Sequence, residues 1–224
     1  MNELLKNIRI TINEGIYLKD PESSKLGKRI IEDGILLIDE LGFDNFTFKK
    51  LGDRIQSNES SIYRYFENKH KFLVYLTSWY WGWKEYQLVF ATVNITNANE
   101  KLTKAIEILT RRVEQDQLFS HINEVALSKI VINEYSKSYL TKEVDNENKE
   151  GYFVIYKRLS SRLKTMISDV NSNYPYPASL ASTIMAGSLH QHFLIDHFTS
   201  LTDCNASTSP SQYFIHLTST LLNS

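Results

Sequence analysis

The sequence predicts an all-α protein of about nine helices. Glycine and proline are scarce, at 8 and 4 among 224 residues, so the chain lacks the turn residues a β-rich fold needs. Apolar residues recur at helical spacing from Lys25 to the C-terminal end, separated by short polar stretches. With 42% hydrophobic residues the chain can build a core for one large or two small domains.

Residues 1–24 are expected as an N-terminal extension. Leu4, Leu5, Ile8 and Ile12 would share a helical face, whereas Arg9-Ile10-Thr11-Ile12 alternates as a strand would. Pro21-Glu22-Ser23-Ser24 reads as a linker, with Ser23 or Ser24 available to cap the next helix. Lys25 to Leu41 is the first helix, burying Ile30, Ile31, Ile35, Leu37 and Ile38.

The stretch Phe46 to Leu73 organises the rest. Thr47 can cap a helix that buries Phe48, Leu51 and Ile55. Gln56-Ser57-Asn58 breaks the pattern with turn-forming residues. Ile62 and Phe66 then restart it, with Tyr63, Arg64 and Tyr65 between them. Two short helices around a tight turn, the second with a polar outer face, can set a recognition helix in the major groove of DNA.

Residues 29–73 resemble the DNA-binding domain of the TetR-type transcriptional regulators. The matching features are Gly42-Phe43 after the first helix, Thr47 opening the second, and Tyr63-Arg64-Tyr65-Phe66 followed by Lys69. The resemblance implies a helix-turn-helix domain over residues 25–73 and an effector-binding and dimerisation domain over 74–224. It also implies a double-stranded DNA operator, a small-molecule effector and a homodimer. Thr47, Asn58, Ser60, Ser61, Tyr63, Arg64 and Lys69 are the DNA-contact candidates carried over by position. Three departures stand out. Glu59 would repel phosphate, Gly34 replaces a usual alanine at a cost of about 1 kcal/mol in helix propensity, and Leu36 and Leu41 replace polar residues.

Net charge is -1, but Asn45 to Leu73 holds six bases against three acids, a local +3. A basic patch on a near-neutral protein suits a small DNA reader and equally a solvated surface.

Beyond Lys69 a long helix to about Ala91 carries Trp79, Tyr80, Trp81, Trp83 and Tyr86. So dense a set of rings exceeds one buried face, and Trp79, Trp83 and Tyr86 are the ligand-binding candidates. No charged residue stands out in the apolar stretches that follow, so a mainly apolar or aromatic effector is expected. Further helices are expected over Glu100–Asp116, His121–Leu140, Gly151–Val170, Ala178–Ser200 and Pro210–Leu222, with Thr92–Asn99 and Thr141–Glu150 as connections. The last two would form the dimer interface, about residues 178–222, with Ala186 and Gly187 permitting close approach.

Other chemistry finds little support. His190, His192, Asp196 and His197 share one helix but offer a metal at most a pair of ligands. The nucleophile elbow, dinucleotide fingerprint, zinc motif and phosphate loop are missing. No catalytic residue, metal or cofactor is therefore assigned. The single cysteine, Cys204, excludes an intrachain disulfide. Neither a signal-peptide core nor a membrane-length apolar run is present, so the expected location is the cytoplasm. A helical small-molecule-binding protein of the same fold, without DNA binding, is the alternative.

Overall fold

The computed structural model describes residues 10–115, 119–205 and 207–223. Ten α-helices and no strand occur among them. They are α1 (Lys25–Leu41), α2 (Phe48–Arg54), α3 (Glu59–Tyr63), α4 (Lys69–Thr92), α5 (Ala98–Thr110), α6 (Glu124–Tyr139), α7 (Val144–Lys149), α8 (Val154–Val170), α9 (Pro177–His197) and α10 (Pro210–Leu222). No described helix is long and apolar enough to cross a membrane.

The chain forms two compact units. The first takes in the chain up to Gly82 together with Val113–Ile155; the second takes Trp83–Arg112 and Tyr156–Ser224.

In the first unit, α1 begins where the Ser24 hydroxyl accepts from the Gly27 amide at 3.0 Å. It ends at Gly42, whose φ of 75° no other residue adopts as cheaply and whose N–H donates to the Ile38 carbonyl. Ile30, Ile31, Ile35 and Ile38 are buried along one face. Gly34 has a packing reason. A Cβ there would sit 2.4 Å from Cζ of Phe72, and that ring also meets Phe46, Phe48 and Phe66 at centroid distances of 5.6, 6.3 and 4.9 Å. The glycine admits the central ring of the unit's aromatic core. Leu36 and Leu41 are half-buried.

The extension differs from a linker. Described from residue 10, it makes two 3₁₀ turns, Glu14–Ile16 and Pro21–Ser23, capped by Asn13 and Asp20. Ile12, Ile16 and Pro21 are buried. The Pro21 backbone lies so close to α1 that a Cβ on Gly27 would come within 2.1 Å of its carbonyl oxygen. The helical and strand readings centred on Leu4, Leu5 and Ile8 lie outside the described residues.

In the second unit, α5, α9 and α10 pack against one another, burying Leu102, Ile106 and Leu109 with Leu180, Ile184, Met185 and Phe214. Pro210 opens α10, and Ser209 with Gln212 forms a capping box. Two sequence expectations change. The fifth helix stops at Thr110, because Arg111 is extended. Thr141–Glu150 is not a plain connection but contains α7.

Candidate DNA-binding surface

The α2–α3 pair is fixed from within. The Thr47 hydroxyl accepts from the Lys50 amide at 3.2 Å and starts α2. Gln56 turns the chain with a φ of 52°, and the Ser57 amide returns to the Gly52 carbonyl at 2.9 Å. A Cβ on Gly52 would lie 2.8 Å from the Ser57 carbonyl oxygen, so the turn crosses α2 closely. Both elements are tied to α1. The Arg29 guanidinium donates to the Ile55 carbonyl at 2.7 Å, and Arg54 pairs with Glu40 at 2.7 Å and Asp33 at 3.3 Å. These carboxylates, Glu40 first, hold the Arg54 guanidinium more firmly protonated than usual.

Short α3 buries Ile62 as its anchor. Thr47, Asn58, Ser60, Tyr63 and Arg64 are exposed, and Ser61 is half-buried. Asn58 stands exposed at the N-cap without a side-chain capping bond. Tyr63 leans edge-on against Phe48 with centroids 5.0 Å apart, which fixes the ring while 46% of the residue remains exposed. Glu59 is half-buried in the first turn. The expected residues thus fall in one stretch of the chain and, Ser61 and Lys69 apart, are exposed.

Lys69 is half-buried, and its ammonium donates to the carbonyls of Phe43, Asp44 and Phe46 at 3.1, 3.2 and 3.4 Å. It also lies 4.8 Å from the Phe43 ring centroid. These carbonyls form the turn between α1 and α2, so the lysine closes that turn. Helix α6 grips the same turn. Glu134 accepts from the Phe43 amide at 3.3 Å, and Lys137 bridges Asp44 at 2.8 Å and Glu134 at 2.9 Å. The local excess of positive charge is therefore partly spent inside the fold. Arg54 faces acids and Lys69 faces carbonyls, while Lys49 and Arg64 are exposed.

The aromatic helix α4 is divided between the units at Gly82. In the first, Trp79 is 2% exposed and meets Phe119 edge-on at 5.0 Å, while the Trp81 indole donates to the Tyr139 hydroxyl at 2.7 Å. In the second, Trp83 is buried and Tyr86 stacks on exposed Phe90 at 6.1 Å. Two cavities are lined by other residues. One, of about 440 Å³, lies in the first unit beside Glu67, His70, Lys71, Glu143, Glu147 and Lys149. The other, of about 30 Å³, lies in the second beside Leu102, Ile106, Ile215 and Leu222.

Sequence reasoning missed the buried charges. Lys84 is wholly buried, donates to the Ile108 carbonyl at 2.9 Å, and is pushed down to about 7, by desolvation first and by Arg111 second. Glu85 accepts from both Arg158 and Arg162, the shortest contact to each being 2.5 and 2.7 Å. His192, also buried, bonds the Thr110 carbonyl at 2.9 Å. The available signal was the pair Lys84-Glu85 interrupting an aromatic run on one helix. No group of three or more possible metal ligands occurs among the described residues.

The profile described as "Bacterial regulatory proteins, tetR family" matches residues 30–76. The fold is similar to that of AibR in a crystal structure with isovaleryl coenzyme A and operator DNA, at TM-score 0.59 and 14% identity, covering 84% of this chain and 95% of that one. Apo AibR superposes at TM-score 0.55 and 13% identity, covering 86% and 96%. The TetR family regulator PfmR from Thermus thermophilus gives TM-score 0.49 and 14% identity over 87% and 97%. No curated protein sequence matches the chain.

Proposed function

We propose that this chain, which matches the tetR-family profile over residues 30–76 and is similar in fold to AibR, is a homodimeric transcriptional repressor released from its operator by a small, mainly apolar or aromatic effector. The observation that carries the DNA-binding part is α3. It is anchored by Ile62 alone, backed by a rigid set of rings, and presents Asn58, Ser60, Tyr63 and Arg64 to solvent. Arg64 offers a guanidinium fork to a guanine edge, Asn58 an amide to an adenine edge, and Tyr63 a hydroxyl to phosphate. Thr47, Ser60 and Ser61 supply further hydroxyl contacts along the backbone. Lys69 enters through the turn it closes, which sets the angle between α1 and α2.

AibR, similar in fold, has been crystallised with an acyl coenzyme A and operator DNA. That likeness supports reading this chain as one that also couples a small molecule to DNA. The aromatic density of α4, with Trp79, Trp83 and Tyr86, favours an effector with an apolar portion. The mechanism is a population shift, in which effector favours a dimer whose two recognition helices no longer match successive major grooves.

The test is selection of duplexes from a random-sequence pool, followed by titration over a salt series. A selected duplex bound at least ~10³-fold tighter than a scrambled one supports specific recognition. Native mass spectrometry of the purified protein tests for a co-purified apolar ligand. Failure to enrich any duplex moves the reading to a ligand-binding protein of the same fold, which half-buried Glu59 on the recognition helix favours.

A further inference from the structure

We propose that residues 10–24 form a strap that positions the end of the recognition helix and ties it to the second sequence segment of the first unit, Val113–Ile155. The proposal rests on the DNA-binding reading above and extends it to a part of the chain for which the resemblance assigns no role.

Tyr65 lies just past α3 and meets the strap through its carbonyl, its hydroxyl and its ring. The Leu18 amide donates to its carbonyl at 2.8 Å. The Ser24 hydroxyl meets its hydroxyl at 2.8 Å. The Lys19 ammonium lies 5.2 Å from its ring centroid. Tyr65 is itself buried, and its amide together with that of Phe66 returns to the Ile62 carbonyl at 2.8 and 3.1 Å. Ile62 is the anchor of α3, so the strap grips the chain three residues past the only buried side chain of the recognition helix.

The other strap contacts leave the DNA-binding segment. The Asn13 amide donates to the Glu150 carbonyl at 3.1 Å, at the turn between α7 and α8. Glu22 accepts from His121, ahead of α6, at 2.8 Å. Tyr17 meets Tyr75 of α4 edge-on at 6.1 Å. Ile10 lies against Gly82, where a Cβ would come within 2.5 Å of its Cγ2. Lys71 donates to the Tyr152 hydroxyl and to the Gly15 carbonyl, the latter at 3.4 Å. The strap therefore follows α4 from Gly82 to Tyr75 and ends on Tyr65, with fastenings on the α7–α8 turn and ahead of α6. Movement of either fastening reaches the recognition helix along the strap backbone and through the Leu18 and Ser24 bonds to Tyr65.

This separates positioning from direct contact. Leu18 is 66% exposed, so Leu18→Pro removes the amide proton while replacing a side chain that packs on little. Tyr17 before it is extended, which a following proline favours. Asn13→Ala cuts the far fastening together with the cap of the Glu14–Ile16 turn, both remote in sequence from α3. Each variant is expected to bind the selected duplex roughly 3- to 10-fold more weakly, the worth of about one or two hydrogen bonds. The ratio of selected to scrambled affinity should fall with it, because a displaced recognition helix loses base contacts before phosphate contacts. The salt slope should stay that of the wild type, since neither variant removes a charge. Tyr65→Phe, which loses only the Ser24 contact, should fall between these and the wild type.

Hydrogen exchange provides the arm that needs no DNA. Asn13→Ala should speed exchange of the Leu18, Tyr65 and Phe66 amides while leaving the thermal midpoint close to that of the wild type. If those amides exchange as in the wild type, the far fastening does not act on α3 and the proposal is overturned, whether or not a duplex was found. An affinity loss with an unchanged specificity ratio would mean the strap only supports the fold. A lowered salt slope would mean the segment touches phosphate directly. Either result also overturns positioning.

Discussion

At the scale of single residues, the odd positions are explained by what fills the space around them. Gly34 reads in the sequence as a helix-weakening departure. Only the approach of the Phe72 ring, 2.4 Å from an added Cβ, shows why a side chain is excluded. Gly34→Ala gains about 1 kcal/mol in helix propensity but forces a ring held by three others, at about 1–3 kcal/mol. We expect a lower thermal midpoint, restored in Gly34→Ala with Phe72→Leu; a midpoint raised by the single substitution would reject the packing account. Lys84 is the converse case, a charge the sequence leaves looking ordinary. Burial lowers it from 10.5 to about 7, so between those values the unfolded chain binds more protons than the folded one. Stability therefore rises with pH across that window, and below about 7 both states hold the proton and the cost is full and constant. Urea midpoints at about pH 7 and 9 should increase for the wild type and stay level for Lys84→Met. Tyr80 and Tyr152, both raised by burial first, oppose this trend only above the ordinary tyrosine range.

At the scale of elements, legibility followed how local the cause was. The bounds of α1 and α10 were readable because Ser24, Gly42, Ser209 and Pro210 are chain-local caps. The end of α5 was not. Val113 continues the apolar spacing of Leu102, Ile106 and Leu109, yet the helix stops at Thr110. Its last-turn carbonyls are taken by distant donors, Ile108 by Lys84 and Thr110 by His192. Helix α7 was invisible for a related reason. Six residues are too few for a period, and its buried residue, Glu147, is held by His70 at 2.7 Å. The recognition segment was legible because its period breaks at a turn of polar residues, whereas the work of Lys69 was not. A lysine after a recognition helix suggests a phosphate, but three carbonyls of the α1–α2 turn surround it instead. Lys69→Met should weaken duplex binding through a loosened turn while leaving the salt slope unchanged. A slope reduced by about one would place the ammonium on a phosphate.

At the scale of the whole molecule, the sequence suggested one boundary near residue 73, whereas the first unit also recruits Val113–Ile155 from later in the chain. Such recruitment depends on long-range pairs such as Lys137 with Asp44 and His121 with Glu22, which no local pattern encodes. The proposed homodimer through residues 178–222 is likewise a question of which apolar groups the fold leaves uncovered. Gly187 is not the place to test it, because an added Cβ would lie 2.9 Å from the Phe214 ring of the same chain. Its small size serves the packing of α9 on α10. Tyr213, by contrast, is 42% exposed, and Leu217, one turn later on α10, is half-buried. This pair lies on one helical face, where a second copy would cover it with the same face in a two-fold arrangement. Tyr213→Glu with Leu217→Glu places two carboxylates in that contact without entering the α5–α9 core. Light scattering at micromolar concentration should give twice the chain mass for the wild type and the chain mass for the double variant, with helical circular dichroism retained. Because two recognition helices must span successive major grooves, the monomeric variant should also lose most of its affinity for a two-fold operator while keeping weak binding to a half-site. A wild type that scatters as a monomer would reject the dimer, and a double variant that stays dimeric would move the interface off α10.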